Sequence, residues 1–211
     1  MANTHSGYFI TLEGTEGAGK SSNLDYIAGL LQAGGKETLI TREPGGTRLG
    51  EQIRDILLQQ QKINISAEAE LIMMFAARAQ HIKEIIMPAL ASGKIVLCDR
   101  FTDSSYAYQG GGRKLDKTLI DQLVGLVHPQ LKPGLTLLFD VAAETGLKRA
   151  GNIKQADRFE SEQIEFFNRV RNTYLEIAYR DPDRVKIIDA EQELDAVRQQ
   201  IKKILNGAGL C

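Results

Sequence analysis

The sequence has no tryptophan and few cysteines, prolines or aromatic residues. Of 211 residues, two are cysteine, five are proline and 6% are aromatic. With only Cys98 and Cys211 and no CxxC pair, the chain has neither a disulfide framework nor a dithiol redox motif. His5, His81 and His128 stand apart along the chain, without the spacing of metal ligands. These scarcities exclude a disulfide-stabilised secreted scaffold and a histidine-based metal centre.

The charges of the chain balance closely. Lys and Arg number 26 and Asp and Glu 27, which gives a formal net charge of −1. A near-neutral chain lacks the basic footprint that non-specific nucleic-acid and membrane-surface binders need. No apolar run approaches the roughly 18 residues that a membrane helix requires, and residues 1–7 lack the apolar core of a signal peptide. We therefore expect a cytoplasmic protein with no nucleic-acid and no membrane partner.

Short β-rich runs alternate with longer helical patterns. Between neighbouring runs lies enough chain for a crossover helix, which parallel strands require. The pattern predicts an α/β fold of three layers, with a five-stranded parallel sheet flanked by helices. The predicted strands are 8–12, 38–41, 95–98, 135–139 and 185–188. No linker or repeat divides the chain, so residues 1–211 are expected to form a single domain, with a short lid at about 148–159.

The segment between the first predicted strand and the first predicted helix carries the strongest motif. It reads Gly14-Thr15-Glu16-Gly17-Ala18-Gly19-Lys20-Ser21 and fits the phosphate-binding pattern G-x-x-x-x-G-K-[ST]. Glycines let backbone N–H groups wrap polyphosphate oxygens, and the following helix adds its positive end. Lys20 is expected to reach the β- and γ-phosphates, and Ser21 to place a hydroxyl on Mg²⁺. A chance glycine turn is the alternative, which the strand and helix context disfavours.

Two classes of nucleotide-binding protein compete at this point. A GTPase-type switch should carry D-x-x-G and N-K-x-D, and neither string occurs in the sequence. A kinase needs a second, cationic site for its acceptor. Asp99 and Arg100 follow the third predicted strand, where an acid can hold Mg²⁺ and an arginine can bind a phosphate. A surface ion pair is the alternative there, but the arginines favour a kinase.

Other segments carry candidate acceptor-site residues, each with a structural alternative. Arg42-Glu43-Pro44-Gly45-Gly46 follows the second predicted strand and forms a tight turn, in which the Glu–Pro bond can be cis. Phe75 and Arg78 share a helix face and could bind a nucleobase, or could be a core ring beside an exposed arginine. Gln109 could bind the edge of a base, and Gly110-Gly111-Gly112 is predicted to be a loop that approaches a ligand. Lys148, Arg149, Lys154 and Arg158 could supply the charge of a closing lid, or be a solvated helix end.

With these pieces in place, the sequence resembles the thymidylate kinases from Phe9 to about Leu205. The resemblance rests on the order of several motifs: the Gly14–Ser21 loop, Thr41-Arg42-Glu43-Pro44-Gly45-Gly46-Thr47, Phe75-Ala76-Ala77-Arg78, Asp99-Arg100-Phe101, Ala107-Tyr108-Gln109-Gly110-Gly111-Gly112-Arg113 and Asp157-Arg158-Phe159-Glu160. It implies the reaction ATP + dTMP → ADP + dTDP, a step toward dTTP, carried out by a homodimer. Another nucleoside monophosphate kinase and a catalytically idle switch are the alternatives.

The resemblance also implies residue roles. Gly14–Ser21 would bind ATP, and Ser21 and Asp99 would hold Mg²⁺. The catalytic charge would come from Lys20, Arg100, Arg149 and Arg158. The residues expected to bind dTMP are Glu43, Arg54, Phe75, Arg78, Arg100, Ser105 and Gln109. Many relatives place the stacking aromatic one position earlier, where this chain has Met74, and two lid positions that are often arginine are Gly151 and Ile153.

Overall fold

The fold is built around one parallel β-sheet. The computed structural model describes residues 7–58, 64–151 and 164–211. The strands are β1 Tyr8–Glu13, β2 Thr38–Arg42, β3 Ile95–Asp99, β4 Leu135–Asp140 and β5 Val185–Asp189. Their order is β2-β3-β1-β4-β5, and every neighbouring pair is parallel. The predicted five-stranded parallel sheet is confirmed, and each strand runs one residue further than expected, into a charged side chain.

Helices connect the strands and cover the sheet. They are α1 Lys20–Ala33, α2 Arg48–Leu58, α3 Ala67–His81, α4 Met87–Ala91, α5 Thr102–Ser105, α6 Lys117–Val127, α7 Ala143–Gly151, α8 Ile164–Arg180 and α9 Leu194–Gly207. Two π-helical stretches, Ile82–Ile86 and Tyr106–Gly112, continue α3 and α5. No helix in the three described ranges is both long and apolar enough to cross a membrane.

Apolar side chains fill both faces of the sheet. One cluster joins strand residues such as Ile10 and Leu137 to α1 and α9 through Ile27 and Ile201. Other clusters pack the opposite face against α8 and against the helices after β2. Because the central strands β3, β1 and β4 are covered on both sides, their sequences are almost continuously apolar, whereas the edge strands β2 and β5 are partly exposed. The predicted three-layer arrangement is therefore observed.

Local signals explain where α3 begins and how it continues. Ser66 caps the helix, since its Oγ accepts a hydrogen bond from the Ala69 amide at 3.2 Å. The helix does not stop near Pro88 but passes through the π-helical turn Ile82–Ile86 into α4. Pro88 lies in the first turn of α4, where its missing N–H is tolerated. The helix therefore changes its winding just before the proline and continues.

The three glycines after Gln109 do not form the predicted loop. They belong to the π-helical stretch Tyr106–Gly112, which packs along α8. A Cβ on Gly111 would come within 2.1 Å of Thr173 Oγ1, and one on Gly112 within 2.5 Å of the Phe166 ring. Glycine is needed here for close helix packing rather than for access to a ligand. Tertiary packing outweighs the low helix propensity of glycine.

The topology fixes where a ligand can bind. The connection after β1 leads to β2 on one side of the sheet, and the connection after the neighbouring strand β4 leads to β5 on the other, so the two connections diverge at the carboxyl ends of β1 and β4. In open parallel sheets, ligands bind at such a switch point. The glycine loop follows β1 at this edge, and Arg42 and Asp99 end the two strands on one side of it.

Candidate active site

The glycine loop joins β1 to α1 at the centre of the sheet. Gly17 has a φ of +69°, and a Cβ there would come within 2.0 Å of the Gly146 carbonyl oxygen. Only glycine combines that conformation with so close an approach. The loop therefore packs directly on α7, the helix that carries Arg149.

Lys20 begins α1, and its side chain folds back onto the glycine loop. Nζ donates hydrogen bonds to the carbonyl oxygens of Gly14 at 2.9 Å and Thr15 at 2.8 Å. Burial, followed by the nearby Arg100 guanidinium, lowers the pKa of Lys20 from 10.5 to about 8. A buried ammonium whose hydrogen bonds go to neutral carbonyls gains strongly from an anionic ligand.

A cavity of about 600 Å³ opens in front of this loop. Its volume lies in the range of small-molecule sites. It extends from the start of α9 to α3 and the Tyr106–Gly112 stretch. Most of the predicted site residues line it: Glu16, Gly17, Ala18, Gly19, Lys20, Ser21, Glu43, Arg54, Arg78, Asp99, Arg100, Ser105, Gln109 and Arg149. Gly14 and Thr15 are buried behind the loop and present carbonyls to Lys20.

Arg78 is the centre of a buried polar network at one end of the cavity. Its Nε donates to Glu43 Oε2 at 2.7 Å, Nη1 to Ser105 Oγ at 3.0 Å and Nη2 to the Phe101 carbonyl at 3.1 Å. The other Glu43 oxygen lies 3.0 Å from His81 Nδ1. Burial alone would raise the pKa of Glu43, but Arg78 and His81 hold it below its ordinary value. Each Glu43 oxygen thus has a partner in this network, and the binding of dTMP by Glu43 stays a prediction.

Phe75 does not line the cavity, contrary to expectation. Its side chain is 2% exposed and packs with Leu71 and Ile120 in a core cluster. The Arg78 guanidinium lies over its ring, 4.5 Å from the centroid, so Phe75 supports the arginine from behind. Met74 is on the cavity wall instead. A shift of one residue turns a side chain by about 100° around a helix, which separates the two positions.

Gln109 lies on the same wall, with its amide oriented by a buried acid. Its Nε2 donates to Glu70 Oε1 at 2.9 Å, and the second Glu70 oxygen lies 3.4 Å from Arg113 Nη2. A glutamine whose amide nitrogen is already committed presents its oxygen with a fixed direction. Gln109 can therefore accept a hydrogen bond from a base edge.

Arg100 is held in an unusual backbone conformation at the floor of the cavity. Its φ is +70°, which costs a non-glycine residue about 1 kcal/mol or more. Nη2 donates to Glu16 Oε1 at 2.8 Å and Nη1 to the Gly14 carbonyl at 3.0 Å. The guanidinium also lies over the Tyr108 ring, 4.8 Å from its centroid. Arg100 thus joins the glycine loop to the D-R motif after β3.

Glu13 is a buried acid that our sequence reasoning did not select. It ends β1 and accepts hydrogen bonds from the Phe101 amide at 2.8 Å, Ser104 Oγ at 2.6 Å and Tyr174 OH at 2.9 Å. Burial, followed by the charge of Asp103, raises the pKa of Glu13 from 4.5 to about 7. Its only sequence signal is a lone acid between an apolar strand and a glycine loop.

Ser21 and Asp99 offer oxygen atoms for a divalent cation. Both line the cavity, and Asp99 Oδ1 is buried with no hydrogen-bond partner among the residues the structure describes. Within those residues no group of three or more His, Cys, Asp or Glu could form a cage for a metal. One hydroxyl and one carboxylate with room for phosphates suit Mg²⁺, which usually keeps waters and shares substrate oxygens.

Arg54 and Arg149 add positive charge at different parts of the wall. Arg54 Nη1 donates to the Pro44 carbonyl at 2.9 Å, after the cis Glu43–Pro44 bond. Arg149 Nη1 donates to the Ala190 carbonyl at 2.7 Å, beside the loop that leads to α9. Arg149 therefore lies at the end of the cavity away from Arg78, a placement that favours contact with the donor nucleotide. Arg158 and most of the predicted lid lie outside the described residues.

Comparisons with known proteins agree with this geometry. A family model described as thymidylate kinase matches residues 12–201. The chain belongs to the thymidylate kinase family. It is 53% identical to a thymidylate kinase of Pseudomonas syringae pv. tomato over 200 residues, 95% of each chain. It is 50% identical to one of Nitrosospira multiformis over 197 residues, 93% of this chain and 96% of the relative.

A solved structure extends the agreement to the fold. The crystal structure of thymidylate kinase from Ehrlichia chaffeensis has a TM-score of 0.75 and 35% sequence identity, and the match covers 94% of this chain and 98% of that one. The predicted family and its P-loop fold are confirmed. Thymidylate kinases are nucleoside monophosphate kinases that use ATP as phosphoryl donor.

Proposed function

We propose that the protein transfers the γ-phosphoryl group of ATP to dTMP. The observation that carries this proposal is the single cavity that joins the glycine loop and Lys20 to Arg78 and Gln109. One end offers a phosphate-binding loop, and the other offers fixed hydrogen-bond groups suited to a base. A donor and an acceptor nucleotide can therefore meet above Lys20 and Arg100.

The protein's own contribution is alignment and charge. Phosphoryl transfer needs little covalent help from side chains, so catalysis comes from positioning and electrostatic stabilisation. Lys20 would leave the carbonyls of Gly14 and Thr15 for the phosphates of ATP. Arg100 and Arg54 would bind the dTMP phosphate, and Arg158 remains a predicted lid cation. When bound, Mg²⁺ would offset charge on the ATP phosphates, held by Ser21 and Asp99.

The donor base is proposed to lie beside α9. Arg149 reaches this end of the cavity through its hydrogen bond with the Ala190 carbonyl, and Gln192, Glu193 and Leu194 complete the wall there. The 192–194 loop was not among the predicted site residues, because it carries no motif. We also propose that residues 1–211 form one domain and that about 148–159 act as a lid.

The thymine of dTMP is proposed to contact Arg78, Gln109 and Met74. The Phe75 ring packs against the Arg78 guanidinium and does not line the cavity, so the base would contact Met74 rather than Phe75 on α3. Room for one methyl group discriminates by only about 1–3 kcal/mol. Preference for dTMP over dUMP should therefore be moderate.

A panel of nucleoside monophosphates tests the proposal. ADP release would be measured with ATP and Mg²⁺ and one acceptor at a time: dTMP, dUMP, dCMP, dGMP, AMP or none. We expect the highest kcat/KM with dTMP and only background release without an acceptor. A higher kcat/KM with another acceptor would assign a different monophosphate kinase activity, and release that ignores dTMP would favour the nucleotide-binding switch.

A homodimer in the cytoplasm is part of the proposal. Helix α3 adjoins both α2 and α6. These helices leave Ile72 59% and Leu126 78% exposed, and Leu49, Ile56 and Leu119 are also exposed. Exposed apolar patches of this kind mark interaction sites. Leu126→Asp should shift the chain to a monomer by light scattering, while a Tyr179→Asp control, on α8, should not. An unchanged mass for the Leu126 variant would argue against this face.

A further inference from the structure

The carboxylate of Glu13 lies directly under Arg100 without contacting the cavity. It is fully buried and is absent from the cavity wall. Two of its hydrogen-bond donors, the Phe101 amide and the Ser104 hydroxyl, belong to the segment after β3, and the third is the Tyr174 hydroxyl on α8. Burying a carboxylate is costly unless hydrogen bonds compensate it, and all three of these donors lie next to Arg100 in sequence or in space.

Glu13 contacts two hydroxyl groups that also contact Arg100. Ser104 Oγ and Tyr174 OH lie 2.7 Å apart, and both lie within reach of Arg100 Nη1, at 3.4 and 3.3 Å. An ionised Glu13 can accept the protons of both hydroxyls, and their lone pairs are then free to face the guanidinium. The orientation of these acceptors therefore depends on the charge of Glu13.

The backbone at Arg100 depends on the same residue. The Arg100 amide donates to the Leu12 carbonyl at 2.9 Å, and the next amide, that of Phe101, donates to Glu13 Oε1 at 2.8 Å. These consecutive bonds fix the two peptide units around the positive φ of Arg100. The turn that aims the guanidinium into the cavity is thus fastened to the end of β1.

We propose that Glu13 is a positioning residue that aims Arg100 at the acceptor phosphate through Ser104, Tyr174 and the backbone of Phe101. This inference rests on the proposed function, in which Arg100 binds the dTMP phosphate. Glu13 touches no substrate and acts only through Arg100. It couples the loop that grips the donor to the arginine that holds the acceptor.

A double-mutant cycle on Glu13 and Arg100 tests the inference. Glu13→Gln keeps the shape and removes the charge. We expect it to lower kcat/KM for dTMP about tenfold, as a misaimed group does, and to leave the KM for ATP within about twofold. In an Arg100→Ala background the same change should lower kcat/KM less than about twofold, because residues that act as one unit are not additive. Equal losses in both backgrounds would overturn the proposal, since a merely structural effect is independent of Arg100.

Two further variants serve as a control and as a substitute for the Glu13 variant. Asp140→Asn removes a carboxylate from the end of the neighbouring strand β4, where it pairs with Arg171, and should leave kcat/KM unchanged. If the Glu13 variant does not fold, Tyr174→Phe removes one hydroxyl of the same network and should show the same non-additivity with Arg100→Ala. A wild-type chain inactive on dTMP would defeat the proposed function itself, whereas wild-type activity with a fully active Glu13→Gln variant would defeat only this inference.

Discussion

The charge of Glu13 should make the stability of the fold depend on pH in a predictable direction. Burial and Asp103 raise its pKa from 4.5 to about 7. Between these values the unfolded chain has lost the proton and the folded chain has kept it. Stability from this group is therefore fully present below pH 4.5 and is lost as pH rises through about 7. The shift corresponds to about 3 kcal/mol, most of it falling between pH 5 and pH 8.

Urea unfolding of the wild type and Glu13→Gln at pH 5 and pH 8 measures this loss. Other groups titrate in both proteins, so the informative quantity is the difference between their two pH responses. The free energy of unfolding of the wild type should fall more from pH 5 to pH 8, by most of about 3 kcal/mol. The Asp140→Asn variant serves as the control and should follow the wild type. If the wild type and Glu13→Gln have the same pH response, the buried carboxyl does not titrate as its surroundings indicate.

Three substitutions test the proposed roles of the cavity cations. Lys20→Ala should lower kcat by about 10²-fold or more with an unchanged circular dichroism spectrum; undiminished turnover would refute its role. Arg78→Ala should raise the KM for dTMP about tenfold and change the KM for ATP little. It should also lower the free energy of unfolding by about 3 kcal/mol, because Glu43 loses its buried partner. An equal rise in the KM for both substrates would contradict the proposed role of Arg78. Arg149→Ala should raise the KM for ATP several-fold, while kcat with saturating ATP changes less. A large fall in kcat with an unchanged KM for ATP would instead indicate that Arg149 contacts the transferring phosphoryl group.

Much of the fold and site could be predicted because the deciding signals are local. The apolar runs specify buried parallel strands, and the Gly14–Ser21 motif requires a strand before it and a helix after it. Because the carboxyl ends of parallel strands meet at one edge of a sheet, the prediction also places Asp99 and Arg100 at the same edge as the loop. That β3 lies directly beside β1 follows from the structure, since the order of strands in the sheet differs from their order along the chain.

The remaining features depend on contacts between distant segments. Whether Met74 or Phe75 faces the cavity depends on how α3 rotates against α6, which the sequence of α3 alone does not determine. The glycines after Gln109 become helical because α8, which lies far along the chain, packs against them through Phe166 and Thr173. Glu13 acquires its role only when Ser104 and Tyr174 fold over it. In each case tertiary packing overrides or completes a local signal.

The folded-back ammonium of Lys20 has a consequence for nucleotide binding. Its lowered pKa of about 8 leaves a sizeable share of unliganded molecules without this positive charge in mildly alkaline solution. An incoming triphosphate restores the charge, so association draws protons from the buffer and weakens as the medium becomes more alkaline. Titration calorimetry in buffers of different ionisation enthalpy would register that uptake as a difference in apparent heat.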